Sequence, residues 1–94
     1  MRLPEDLYVP NAFTPNGDAV NDAFAVVERN IVNLRVAIYD RWGKQVYHSD
    51  RVDFAWDGTY GGAPAVQDVY VYLIKAEGFH GQVYDLKGTV TLVR

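Results

Sequence analysis

Side chains whose oxygen atoms could bind a metal ion are concentrated in one short segment that begins at Pro10. Four carboxylate or amide side chains stand close together there: Asn16, Asp18, Asn21 and Asp22. Oxygen donors at this density suit a hard cation such as calcium, and they equally suit a turn in which the side chains accept backbone N–H bonds. Because prolines and an Asn-Gly step flank them, the backbone must turn sharply. The segment therefore predicts an ordered loop, held by calcium or by hydrogen bonds.

The spacing of these oxygens does not fit an EF-hand. With Thr14 at the first loop position, the sixth position should be Gly but is Ala19. The twelfth should be a bidentate Glu but is Ala25. A looser calcium site and a metal-free loop both stay open.

Catalysis has few candidates in this chain. Asp18, Asp22 and Asp57 could supply the paired carboxylates of a glycosidase, but short acidic side chains in turns usually cap backbone N–H groups. The two histidines, His48 and His80, are not associated with a nucleophile-elbow pattern, and no phosphate-binding loop occurs. The sequence therefore predicts that the protein is not an enzyme.

Composition narrows the class of protein further. The chain has 94 residues, 49% of them apolar, which suits one folded domain over residues 1–94. The net charge of −3, without a basic cluster, argues against nucleic-acid binding. Absence of cysteine excludes disulfides and thiolate-bound zinc. No apolar run is long enough to cross a membrane, so no membrane insertion is expected.

The elements that must position these residues are all strands. Runs of β-branched and aromatic residues alternate with Gly-, Asn- and Asp-containing turns every 8–12 residues or so, as in sandwich domains. No window has helical periodicity. We predict an all-β, antiparallel immunoglobulin-like β-sandwich of about seven strands, of which residues 7–9, 24–28, 34–40, 45–48, 69–74 and 87–93 form the clearest.

Alternation along the longest runs also predicts the core. The residues expected to be largely buried are Val36, Ile38, Val46, Trp56, Val71, Leu73, Val90 and Leu92. The other tryptophan, Trp42, stands beside Arg41 at a predicted hairpin tip. An aromatic ring with an Arg neighbour is typical of interface anchors. Covering the core and contacting a partner both remain possible for Trp42.

Six segments, in this order, carry a resemblance to a known family. They are Pro-Asn-Ala-Phe-Thr-Pro-Asn-Gly-Asp (10–18), Val-Asn-Asp (20–22), Ile-Tyr-Asp-Arg-Trp-Gly (38–43), Trp-Asp-Gly-Thr-Tyr (56–60), Val-Tyr-Val-Tyr (69–72) and Lys-Gly-Thr-Val-Thr-Leu-Val-Arg (87–94). The chain resembles the gliding-motility-associated C-terminal domain of Bacteroidetes proteins. That domain is the type B sorting signal of the type IX secretion system.

The resemblance implies a secretion signal rather than an enzyme. Such a domain ends a longer protein, so Met1 is expected to be an introduced start and the N-terminal passenger is missing from this fragment. The passenger would reach the periplasm first. The folded domain would then direct it through the outer membrane to the cell surface or the medium. The implied partners are the outer-membrane translocon and a dedicated β-barrel protein. Arg41, Trp42 and the C-terminal Arg94 are the hypothesised recognition residues.

Two other classes of function stay open. One is a calcium-stiffened immunoglobulin-like spacer or adhesion module of a cell-surface protein. The other is a carbohydrate-binding module that uses Trp42 and tyrosine rings as stacking platforms. Further domains after Arg94 would favour the spacer, and a sugar-binding assay would detect the third class.

Overall fold

The computed structural model describes residues 7–15 and 22–93. This part of the chain contains nine strands and no helix. Five of the strands are two residues long, and four are longer. In chain order they are β1 (Leu7–Tyr8), β2 (Ala12–Phe13), β3 (Val27–Glu28), β4 (Ile31–Tyr39), β5 (Gln45–Ser49), β6 (Thr59–Tyr60), β7 (Ala63–Pro64), β8 (Asp68–Gly78) and β9 (Val83–Leu92).

One five-stranded sheet forms the frame of the domain, in the order β2-β9-β8-β4-β5. The β4–β5, β4–β8 and β8–β9 pairs are antiparallel, whereas β2 pairs parallel to the end of β9. Short turns join β4 to β5 and β8 to β9, which is the economical way to build antiparallel neighbours. The predicted all-β sandwich is confirmed, with this single parallel pair as an addition.

A second layer covers one face of this sheet. It contains the β1–β3 pair, the β6–β7 pair and a backbone bridge between Phe24 and Trp56. Aromatic rings fill the space between the layers, and they meet at tilted or edge-on angles, as aromatic pairs prefer. Trp56, for example, lies 5.4 Å from Phe13 and 5.1 Å from Tyr70 between ring centroids. The core thus depends on rings contributed by both layers.

The predicted core is confirmed on β4 and β9, and for Trp56. Five of its members are at most 3% exposed: Val36, Ile38, Trp56, Val90 and Leu92. Val46 is only half-buried. Its position explains this, because Ile38 pairs with Tyr47 and Tyr39 with Gln45, so that Val46 is the extra residue of a bulge.

The prediction for β8 was wrong by one residue. Leu73 is 39% exposed and Val71 is half-buried, whereas Tyr70, Tyr72 and Ile74 are at most 3% exposed. Both faces are apolar from Val69 to Ile74, so alternation alone cannot tell which one is covered. Tyr70 can be buried because its polar hydroxyl has a hydrogen-bond partner. The Tyr70 hydroxyl donates to the carbonyl of Val66 at 2.6 Å.

Candidate functional site

The turn between β4 and β5 presents Trp42 to solvent. The ring is 83% exposed, which excludes a role in covering the core. Its backbone is nevertheless held firmly. The Asp40 carboxylate accepts the N–H groups of Trp42 and Lys44, each at 2.9 Å. Gly43 then takes a φ of 84°, a conformation that glycine adopts without strain. The result is a large apolar ring on a fixed backbone.

Arg41 joins this turn to the beginning of β8. Its Nε lies 2.9 Å from Asp68 Oδ2, and its Nη2 donates to Oδ1 at 3.0 Å. The Arg41 guanidinium is therefore bound to the Asp68 carboxylate in a bidentate manner. Because both side chains keep some exposure, the pair contributes only about 0.2–1 kcal/mol to the stability of the fold. The Arg41 Cζ also lies 5.8 Å from the Trp42 ring centroid. The ion pair thus acts mainly by fixing the guanidinium beside the ring.

Further exposed groups surround the turn. The Lys44 ammonium lies 4.6 Å from the Tyr60 ring centroid, which connects the turn to the β6–β7 pair. Val66, two residues before the Arg41 partner Asp68, is 70% exposed. We call this surface the Trp42 end and define it by Arg41, Trp42, Lys44, Tyr60, Val66 and Asp68. It contains Trp, Tyr and Arg side chains, the residue types that are enriched in protein interfaces.

The C-terminal strand reaches the Trp42 end as well. Asp68 is directly opposite Leu92 in the β8–β9 register, and Phe13 is opposite Leu92 on the other side. The Val93 N–H then donates to the Phe13 carbonyl at 3.0 Å. Phe13 and Val93 therefore lie at the same end of the sheet as Asp68, the partner of Arg41. Arg94 itself lies outside the described residues.

Most of the predicted calcium loop also lies outside the described residues. This applies to Asn16, Asp18 and Asn21, and their calcium role stays a prediction. Asp22 is described, is half-buried and has a polar contact. Within residues 7–15 and 22–93, no three His, Asp or Glu side chains are placed to hold a metal ion. If the loop does bind calcium, the free energy of unfolding should rise by about 2.7 kcal/mol when the free calcium concentration is a hundred times Kd.

The other chemical candidates have structural roles. The Asp57 carboxylate accepts the N–H and hydroxyl of Thr59 at 3.1 and 2.7 Å, as a turn cap does. His48 and His80 are exposed. Asp53 has a lowered pKa, first through the hydrogen bonds and then through the charge of Arg51, but the pair lies at the surface. None of these groups forms a nucleophile–base or acid–base pair in the part of the chain described.

One concave feature was not predicted from the sequence. A shallow depression of about 610 Å³ lies on the solvent side of the five-stranded sheet. Ala37 and Leu73 line its apolar part, and Arg35, Lys75 and Asp50 are charged groups around it. Its detection requires the register that brings β4, β5 and β8 together, and no local motif signals that register.

Taken together, the fold and its exposed residues define a small β-sandwich, and the Trp42 end is its candidate binding surface. The described residues contain no helix long and apolar enough to span a membrane. A comparison with curated proteins found no match. Residues 7–92 match the family of CHU_C type IX secretion signal domains. Because the match spans nearly the whole chain, the protein belongs to this family, which confirms the suspected sorting domain and its role as a type IX sorting signal.

Proposed function

We propose that the folded domain is recognised at the Trp42 end by the outer-membrane machinery of the type IX system. The observation that carries this proposal is a ring that is 83% exposed on a turn fixed by Asp40. An apolar side chain gains most when a partner removes it from water. Because its backbone is already fixed, little conformational entropy is lost on binding.

The guanidinium of Arg41 supports the same assignment. Its bidentate bond to Asp68 holds it beside the ring without burying it, since the Arg41 side chain keeps 59% exposure. Trp and Arg are the residue types most enriched among energetic anchors of protein interfaces. A partner with an apolar pocket and acidic or carbonyl groups around it would fit both side chains. A dedicated outer-membrane β-barrel protein, implied by the family resemblance, is the expected partner, with the passenger attached in cis at the N-terminal side.

The test is export of a reporter. A signal-peptide-bearing reporter fused to residues 1–94 is expressed in a type IX host, and its amounts in the periplasm, on the surface and in the medium are measured. We expect the unchanged domain to direct export. Trp42→Ala and Arg41→Ala should leave the reporter in the periplasm, because they remove the anchors without opening the core.

Phe79→Ala supplies a matched control. Phe79 is 70% exposed on the turn after β8, at the far end of that strand from Asp68, about 33 Å away along eleven residues of strand. Removal of this similarly exposed ring should leave export unchanged. Normal export of both Trp42→Ala and Arg41→Ala would exclude the Trp42 end. Equal losses for Trp42→Ala and Phe79→Ala would show that exposed rings act without a defined site.

Truncation tests the fold rather than the surface. Ending the chain before Gly88 removes Val90 and Leu92, both fully buried, and should abolish export by unfolding the signal. A separate Arg94→Ala variant tests the remaining recognition candidate. Cooperative thermal melting of each purified variant distinguishes lost recognition from lost folding.

A further inference from the structure

Among the described residues, strand β9 has a long edge that no other strand covers. It runs for ten residues, but its outer neighbour β2 pairs only with Thr91 and Leu92. From Val83 to Val90, the topology of the described residues places no strand on that side. An edge of this length offers backbone groups that can pair with another chain.

The orientation of these groups follows from hydrogen bonds at the two ends of the strand. The Gly78 N–H donates to the Gln82 carbonyl at 2.7 Å, so even-numbered residues of β9 direct their backbone groups towards β8. At the other end, the Thr91 N–H donates outward to the Asn11 carbonyl at 2.9 Å. By the two-residue period, the backbone groups that point out from the open edge belong to Val83, Asp85, Lys87 and Thr89.

The side chains along this edge are complementary to themselves. When a second copy of β9 is placed antiparallel with Leu86 opposite Leu86, Asp85 stands opposite Lys87 of the second copy, and the reverse pair forms as well. The outward-pointing residues then face one another, as hydrogen-bonded antiparallel pairs require. Centring the pair on Asp85 or on Lys87 would instead oppose like charges, which is destabilising. Charge therefore selects one register.

The covered face of the strand is complementary in the same register. Tyr84 stands opposite Gly88 of the second copy. A Cβ on Gly88 would lie 2.5 Å from the Tyr72 hydroxyl, so the Tyr72 ring already occupies the space beside this glycine. Tyr84 and Leu86 are half-buried at the edge of the core, and a second copy would cover them further.

We propose that the domain self-associates through β9, as a two-fold symmetric dimer in which two five-stranded sheets become one continuous sheet. The interface is isologous, so the same residues serve on both sides. This inference does not depend on the role of the Trp42 end, because that surface is formed by other residues.

The first test is the mass of the 94-residue chain in solution. Sedimentation equilibrium over increasing concentration should show a shift from 10.6 kDa towards twice that mass. Asp85→Lys and Lys87→Asp, each alone, oppose like charges at both symmetric pairs and should weaken self-association at least about tenfold. An equimolar mixture of these two variants should restore the dimer, because each then meets the opposite charge.

A proline variant tests the backbone pairing itself. Thr89→Pro removes an outward N–H that β8 does not use, so the folded domain should melt as before but sediment as a single chain. Recovery of the dimer in the mixture of Asp85→Lys and Lys87→Asp would show that both variants are folded, since unfolded chains could not form the paired edge. A wild-type mass of one chain at the highest soluble concentration would overturn the proposal. A dimer unaffected by the single charge reversals or by Thr89→Pro would overturn it too.

Discussion

The two faces of the five-stranded sheet lie in different environments, although both carry apolar side chains. On β8, Ile74 is fully buried against the second layer, whereas its neighbour Leu73 is 39% exposed on the solvent side. Leu73 shares that side with Arg35 and Lys75 around the shallow depression. Burial in this domain is therefore decided by where the second layer lies, and the apolar character of a strand residue does not decide it alone.

The covered face also has a distinct chemistry. Its centre is aromatic, with Trp56, Phe24 and Tyr72 in ring contact with one another or with shared neighbours. The Trp56 indole N–H donates to the Thr59 carbonyl at 2.9 Å, so the ring is buried without an unsatisfied donor. Within the described residues, no buried side-chain nitrogen or oxygen lacks a hydrogen bond. The solvent face, by contrast, has no comparable packing to lose.

The largest effect is expected from Trp56→Ala. Removal of this ring takes away contacts with Phe13, Tyr47 and Tyr70 and leaves a cavity between the layers. We expect a loss of about 3–5 kcal/mol in the free energy of unfolding, measured by urea denaturation. For a domain of ordinary stability this is a large share of the total, so most molecules could unfold at physiological temperature.

Trp42→Ala is the matched control for that experiment. The same side chain is removed from a position with 83% exposure, and the change in free energy should stay within about 0.5 kcal/mol. Equal losses at the two tryptophans would contradict the assignment of Trp42 to a free surface. The same variant then reports on export alone.

The next effect distinguishes the two faces at neighbouring positions. Ile74→Ala should reduce the free energy of unfolding by about 2–5 kcal/mol, because Ile74 is fully buried. Leu73→Ala removes an aliphatic side chain of the same size from the open face and should cost well under half as much. Urea denaturation of both variants under one condition gives the comparison. A larger loss at Leu73 would mean that something covers the solvent face.

Sequence patterns predicted the strands better than the faces. β-branched runs and glycine turns located β4, β5, β8 and the end of β9, because these signals are local. The covered face of β8 was not predictable, since the Val-Tyr alternation places large apolar groups on both sides. The extra residue Val46 was missed as well. A bulge depends on how β4 and β5 pair and leaves no mark in either strand alone.

Only two residues of the Trp42 end were singled out from the sequence, and its geometry was not predicted. Arg41 and Trp42 were singled out by type and by their turn position. The Asp68 partner could not be foreseen, because 27 residues separate it from Arg41 and only the β4–β8 pairing joins them. The open edge of β9 likewise required the strand order. Such features arise from topology, which local sequence does not encode.

The smallest effect is expected at Tyr72, where the covered face meets the edge at Gly88. Burial raises the pKa of the Tyr72 hydroxyl above its ordinary value of 10.0. The folded state therefore keeps this proton to higher pH than the unfolded chain does. The contribution of this pKa shift to the free energy of unfolding is fully present below about pH 10 and is lost as pH rises through the folded-state pKa.

Tyr72→Phe should be nearly neutral for stability at about pH 8, because no hydrogen bond is made by this hydroxyl to any described residue. As pH rises above about 10, the variant should become progressively more stable than the wild type, by less than either core substitution costs. Urea denaturation of both proteins across this range measures the difference, and the other tyrosines, present in both, cancel. A difference that stays constant with pH would show that the Tyr72 hydroxyl is solvated, and that the covered face ends before Gly88.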